Sequence, residues 1–309
     1  MIDKDSKIYI AGHKGMVGSA CWKILSEAGY KNLTGRSSKD LDLRVQADVK
    51  DFINEEKPSI IIDAAAKVGG IVANDSYPYE FIMDNMLIQN NLIHSAHLFD
   101  VPKFIFLGSS CIYPKLAPQP LVEKYLLTGA LESTNEWYAI AKISGVKSIE
   151  ALRKQHNKNY ISLMPTNLYG PGDNYDLTSS HVLPAMIRKF HEAKIDGNKD
   201  VLLWGSGKPK REFLHVYDLA KAVKFSIESE LSHSLYNVGS GIDITIENLA
   251  KLVQSVIGHN GKVIWDKTKP DGTPRKLMDS SLFRHYGWAP SIKLEEGIKL
   301  TYQSFISSL

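Results

Sequence analysis

Short apolar runs recur along the chain, separated by longer amphipathic stretches. Lys7–Ala11, Ser59–Ala65, Lys103–Leu107 and Tyr160–Met164 are almost continuously apolar, as strands covered on both faces are. Between them, Met16–Ala28, Tyr79–Leu98 and Tyr138–Gln155 repeat apolar residues at helical spacing. Strand alternating with helix predicts an α/β fold: a doubly wound, parallel, Rossmann-type sheet with its ligand at the carboxyl ends of the strands.

Tyr169-Gly170-Pro171-Gly172 ends the regular alternation with a strong turn signal. Beyond it the pattern predicts strands at Val201–Trp204 and Val263–Trp265, helices at Val182–Ala193 and Leu249–Ile257, and a Gly/Pro loop at 270–274. The expected division is a cofactor-binding domain over 1–170, to which segments near 213–240 return, and a smaller α/β substrate-binding domain over 171–309. No internal repeat or low-complexity tract interrupts this plan.

Composition narrows the class. With 43% hydrophobic and 23% charged residues the chain reads as a globular protein. A formal net charge of +3 is too small to predict nucleic acid or a membrane surface as partner. Two cysteines, Cys21 and Cys111, make neither a disulfide framework nor a zinc pattern, and no metal site is expected. The apolar run Ile60–Ala66 is interrupted by Asp63 and followed by Lys67, so it cannot span a bilayer, and no signal-peptide apolar region is read ahead of the first strand. The expectation is a cytoplasmic protein.

Gly12-His13-Lys14-Gly15-Met16-Val17-Gly18 follows the first strand and opens the first helix, which is the context that gives a glycine fingerprint meaning. The glycines suit a tight turn, close approach of backbone to a pyrophosphate, and close helix–strand packing. Backbone N–H groups and the helix dipole would then receive the phosphates. The second strand should end near Thr34, and Lys14, Arg36 and Lys39 surround that point with positive charge. Cations there favour the 2′-phosphate of NADP(H) over the bare ribose of NAD(H).

Tyr138 and Lys142 stand four apart in a helical pattern, on one face and about 5–6 Å apart at Cβ. An ammonium held there favours ionisation of the phenol, giving a proton donor or acceptor. Ser109 follows a strand at the expected carboxyl edge, where its hydroxyl could bond a substrate oxygen. Together these residues predict hydride transfer between a nicotinamide and a carbon bearing a hydroxyl or keto group. Read from the residues alone, Cys111 is a buried small hydrophobe and His181 a residue at a helix N-terminus.

Gly-x-x-Gly-x-x-Gly, the serine and Tyr-x-x-x-Lys resemble the extended short-chain dehydrogenase/reductase family of nucleotide-sugar enzymes. The strings GHKGMVGSA (12–20), AAAKVGGIVAN (64–74), LGSSCIYPK (107–115), MPTNLYGP (164–171), WGSGKPKREFLHV (204–216) and DGTPRKLMD (271–279) resemble its GDP-fucose-forming branch across the whole chain. The resemblance implies a GDP-linked keto sugar, GDP-4-keto-6-deoxy-mannose, epimerised at C3 and C5 and reduced at C4 by NADPH. It implies that Ser109, Tyr138 and Lys142 form the reduction set and that Cys111 and His181 are the epimerisation acid and base. By the same resemblance Leu107, Gly108, Pro165, Thr166, Asn167, Leu168, Lys142 and His181 line the cofactor. Lys189, Trp204, Arg211 and Asp279 would hold the GDP-sugar.

Two positions depart from the family pattern. Trp137 stands where relatives carry proline before the tyrosine, which opens the alternative of a related substrate such as a GDP-4-keto heptose, reduced at C4 without epimerisation. Ser38 replaces an arginine often used for the 2′-phosphate. A sugar 4,6-dehydratase would want an Asp-Glu pair where Ser110-Cys111 stands, and a catalytically silent cofactor-sensing protein would have no need of Tyr138 and Lys142. A homodimer is expected, through helices containing Met83–Leu98 and Ile140–Leu152.

Overall fold

The computed structural model describes residues 3–269 and 271–309, so Pro270 of the expected 270–274 loop lies outside the described residues. In chain order the elements are β1 (Ile8–Ala11), α1 (Met16–Glu27), β2 (Leu33–Thr34), α2 (Gln46–Glu56), β3 (Ile60–Asp63), α3 (Ile71–Ser76), α4 (Pro78–Leu98), β4 (Lys103–Leu107), α5 (Glu136–His156) and β5 (Asn159–Pro165). There follow β6 (Asn167–Tyr169), α6 (Val182–Ile195), β7 (Val201–Trp204), β8 (Lys210–His215), α7 (Val216–Glu228), β9 (Leu235–Val238), β10 (Asp243–Thr245), α8 (Ile246–Ile257), β11 (Val263–Asp266), β12 (Arg275–Lys276), α9 (Ser281–His285) and α10 (Leu294–Ser307).

The central sheet runs β2-β1-β3-β4-β5-β9, with every neighbouring pair parallel. This is the Rossmann-type sheet that the apolar runs predict. Alternate residues of each strand face opposite layers. Ile8, Ile10, Ile60 and Ile62 pack with Leu25 of α1 and with Leu219 and Val223 of α7. Tyr9, Ile61, Phe104 and Phe106 pack with Val49 and Ile53 of α2, Leu92 of α4, and Val146 and Ile149 of α5. Burying each such side chain contributes roughly 1.5–3 kcal/mol, so both faces must be covered for the sheet to persist. Hence α7 and β9, distant in sequence, pack against α1 and β5 respectively.

A third hydrophobic cluster joins α6, α8 and α10 to β7 and β8 through Ile187, Phe190, Leu203, Phe213, Val253 and Ile298. Around it β8 pairs with β6, β10 and β12, while β7 pairs with β11. Buried Glu212 of β8 ties these pieces together. Its Oε1 accepts from Gly241 N at 2.6 Å and its Oε2 from Met278 N at 2.9 Å.

The strand expected over Ser59–Ala65 is shorter, because the chain leaves the ladder after Asp63 to pass over the first glycine turn. A Cβ on Gly12 would stand 2.8 Å from Ala64 O, so the two segments are in contact there.

Candidate active site

The carboxyl ends of β1, β3, β4 and β5 bring the expected site segments to one edge of the sheet. At β1, Gly12 adopts φ +75°, a left-handed conformation that glycine takes without steric cost. Gly15 N returns to Gly12 O at 2.9 Å, closing the turn. Gly18 then lies against that turn: a Cβ on it would fall 2.1 Å from Gly12 O. At Gly15 the nearest atom to such a Cβ is 3.4 Å away. The first turn of α1 carries no acidic side chain and no side-chain cap. An anionic pyrophosphate therefore fits this helix N-terminus, with N–H groups and dipole to receive it and no carboxylate to repel it.

Beside the turn, His13 packs against Gly35 just after β2 and against the Trp22 ring, and burial lowers its pKa, with Lys14 and Arg36 adding to the effect. Arg36 is held rather than loose. It pairs with Glu56 at 2.7 Å and lies over the Phe52 ring at 5.3 Å. The Asp40 carboxylate nearby is engaged by Ser37 Oγ at 2.5 Å, which lowers its pKa. Lys14, Ser38 and Lys39 are exposed around this rim.

At β4, Ser109 caps a short 3-10 turn over Ser110–Ile112, its Oγ accepting from Cys111 N at 3.4 Å. Lys142 of α5 is buried, donates from Nζ to Leu107 O at 3.0 Å, and sits 4.7 Å from the Phe106 ring centroid. Its Nζ is 5.9 Å from the Tyr138 ring centroid. Tyr138 is half-buried and meets the Phe81 ring edge-on at 6.4 Å.

The expected lowering of the Tyr138 pKa by Lys142 does not hold in the protein by itself. Burial raises the phenol, and the nearby Cys111 and Asp63 raise it further. Burial also lowers the Lys142 pKa, against the pull of Asp63 and Cys111. The physical reason is that removal from water penalises the charged form of both groups, and the ammonium is turned to a backbone carbonyl. Burial likewise raises the Cys111 thiol, while Lys276 and Ser109 work in the opposite direction.

Cys111 lines a small cavity with Tyr113, Glu132, Asn135 and Lys276. His181 is the residue preceding α6, and the protein around its ring lowers its pKa even though it keeps an exposed edge. A helix N-terminus acts in the same direction on an imidazole. The loop after β3 leads to it, with Gly70 N donating to Ser179 O at 2.9 Å. That loop is held by Asn85, whose side chain bonds Lys67 N and Lys67 O at 3.0 Å each.

Pro165–Leu168 cross from β5 into β6, fixed by Asn167 Nδ2 to Glu212 O at 2.8 Å and by Thr166 N to Val238 O at 3.1 Å. Farther out, Trp204 is 54% exposed and therefore offers a ring face. Lys189 and Lys269 place their Nζ atoms 6.0 and 5.4 Å from its centroid. Lys189 also donates to Leu202 O at 2.9 Å. Arg211 is half-buried, and burial lowers its pKa while Asp271 and Glu132 oppose this. Asp271 accepts from Ser206 N at 2.6 Å and Ser206 Oγ at 2.7 Å.

Asp279 follows Met278, whose N–H bonds Glu212 beside Arg211. Its Oδ1 accepts from Ser281 N at 2.8 Å, and its backbone pairs with Leu121 and Asn237. The acid that accompanies Arg211 is Asp271, in the same DGTPRK string. Asn85, Glu212, Asp271 and Lys276 carry no sequence signal of their own. Their significance comes from contacts with residues distant in sequence, 18 to 66 positions away for the first three and the Cys111 cavity for Lys276.

Comparisons with known proteins follow the same lines. Residues 8–239 match the model of the NAD dependent epimerase/dehydratase family. GDP-L-fucose synthase 1 of Arabidopsis thaliana is 54% identical over 309 residues, spanning 100% of this chain and 96% of its own. Among solved structures, a GDP-6-OMe-4-keto-L-xylo-heptose reductase from C. jejuni superposes with a TM-score of 0.95 at 35% identity, covering 100% of this chain and 99% of that one. A GDP-L-fucose synthetase from Naegleria fowleri bound to NADP superposes with a TM-score of 0.91 at 28% identity, covering 100% and 95%.

Proposed function

The chain belongs to the NAD dependent epimerase/dehydratase family, and from that premise we propose that it converts a GDP-4-keto sugar by epimerisation at C3 and C5 followed by reduction at C4. GDP-4-keto-6-deoxy-mannose is the proposed substrate and GDP-L-fucose the product. The observation that carries this reading is the 54% identity to a GDP-L-fucose synthase over the full chain. The placement of Cys111 as an electrostatic neighbour of both Tyr138 and Lys142 supports it.

The ketone at C4 acidifies the protons on C3 and C5, which flank it. Cys111 and His181 would remove and return those protons on opposite faces of the enolate, which inverts each centre. A thiol and an imidazole suit this exchange because their ordinary pKa values, about 8.5 and 6.5, bracket neutrality. Ser109 Oγ would bond O4, and Tyr138 would deliver its phenolic proton there as the alkoxide forms. NADPH, when bound, supplies the hydride to C4. Lys142 would hold the cofactor ribose, the turn from Gly12 to Gly18 its pyrophosphate, and Arg36 with Lys14 its 2′-phosphate. Arg211 and Lys189 suit a sugar diphosphate, Arg211 because a guanidinium fork bonds paired anionic oxygens. Trp204 would stack on guanine.

A second reading is reduction of a GDP-4-keto heptose without epimerisation. Trp137, 40% exposed and adjacent to Tyr138, favours it by reshaping the approach to the phenol. A panel of GDP-4-keto sugars, assayed for NADPH oxidation, separates the two. Turnover of the 6-deoxyhexose is expected, and turnover confined to heptoses would overturn the fucose reading. The dimer reading rests on Leu87, Leu98 and Ile140, which α4 and α5 leave exposed. Light scattering would show twice the chain mass.

A further inference from the structure

Asp63 is the last residue of β3 and is completely buried. Its Oδ1 accepts from Ala65 N at 3.2 Å, while Oδ2 has no hydrogen-bond partner among the described residues. The other buried acids behave differently. Asp218 accepts from Ser291 N, Ser291 Oγ and Ile292 N, and Glu212 from Gly241 N and Met278 N, so each anchors backbone. A carboxylate kept out of water with one donor has no comparable structural task, and an aliphatic residue would pack there at less cost.

Its direction explains what it faces. Register places Asp63 beside Ala11 and Phe106, and paired residues of parallel strands point to the same side of the sheet. That side is covered by α5, where the Phe106 ring lies 4.7 Å from Lys142 Nζ. Lys142 Nζ has three hydrogens and, among the described residues, one hydrogen-bond partner, Leu107 O. The groups that interact electrostatically with Asp63 are Lys142 and Tyr138 from α5 and Tyr9 from β1, with Cys111 from the 3-10 turn acting on the same lysine and tyrosine. Gln89 of α4 borders the layer without charge.

We propose that Asp63 is a positioning residue of the reductive step, its carboxylate keeping Lys142 an ammonium and Tyr138 a phenol at the working pH. The proposal rests on the reading of Tyr138 and Lys142 as the reduction pair. Without a negative charge in this layer, burial would strip Lys142 of its proton earlier. The phenol would also lose its proton at lower pH. Both shifts have the same sign, so their effects on activity add.

The test uses Asp63→Asn, which keeps the shape and the Ala65 contact, with Asp63→Leu as a second uncharged variant. In the intact enzyme with NADPH and GDP-4-keto sugar, the alkaline limb of hydride transfer should move to lower pH by about one unit in both variants. A second readout needs no turnover. Burial raises the Asp63 pKa to about 6, so its ionisation opposes folding. The contribution of Asp63 to wild-type stability, read as the difference from Asp63→Asn, should therefore fall as pH rises from 4 through 6. Asp63→Asn should match the wild type at pH 4 and exceed it at pH 8. A wild type that transfers hydride while Asp63→Asn and Asp63→Leu leave the limb unmoved overturns this proposal alone. A wild type that transfers no hydride at any pH overturns the reductase reading, and this proposal with it.

Discussion

Gly15 and Gly18 should fail in different ways when each is given one methyl group. At Gly18 the added Cβ would stand 2.1 Å from Gly12 O, 2.6 Å from Gly12 C and 2.7 Å from His13 Cα. Ordinary carbon contacts lie near 3.5–4.0 Å, and all three obstacles are backbone, so α1 must retreat from β1. Overpacking of this kind costs about 1–3 kcal/mol, and backbone obstacles place it in the upper half. Alanine gains back roughly 0.8–1 kcal/mol of helix propensity over glycine. The net loss is about 1–2 kcal/mol, which lowers Tm by several degrees at this chain length. Gly15 has φ −75°, which any residue adopts, and its nearest neighbour to a Cβ is 3.4 Å away. Gly15→Ala should keep the wild-type Tm yet obstruct the pyrophosphate, weakening NADPH binding about tenfold or more, ~1.4 kcal/mol. Thermal unfolding without cofactor and NADPH titration by fluorescence measure the two effects separately. Equal loss of Tm in both variants, or unchanged NADPH affinity in Gly15→Ala, would refute the division of roles.

Other outcomes follow from the same geometry. Cys111→Ser should retain the wild-type Tm and lose most solvent deuterium exchange at C3 and C5, more than it loses carbonyl reduction, as read by NMR. Tyr138→Phe should abolish NADPH oxidation while leaving NADPH affinity within about twofold, because the phenol is a proton donor and not a phosphate ligand. Glu212→Ala should lower unfolding stability by about 3 kcal/mol, since it strands the Gly241 and Met278 N–H groups; urea denaturation measures this.

The parallel sheet was legible because strands covered on both faces are continuously apolar, as Ile60–Ile62 and Phe104–Leu107 are. The first glycine turn was legible because its backbone requirement falls on glycines a few positions apart. By contrast α2 buries only Val49 and Ile53, too thin a stripe to register as a helix in the chain. Tyr138, Lys142, Ser109 and Cys111 could be singled out by spacing and resemblance, and they meet at one edge of the sheet. Their charge states could not, because those depend on burial and on Asp63, which in the sequence is merely an acid interrupting an apolar run. Asp271 and Asp279 lie in one short string. Only the folded chain shows that the first acts electrostatically on Arg211 while the second accepts a hydrogen bond from Ser281 N.

The central claim is tested most directly by running the reaction with GDP-4-keto-6-deoxy-mannose and NADPH in D₂O and identifying the product by NMR. The account predicts stoichiometric NADPH oxidation and GDP-L-fucose carrying deuterium at both C3 and C5. A product reduced at C4 with neither position labelled, or no NADPH oxidation at all, would contradict it.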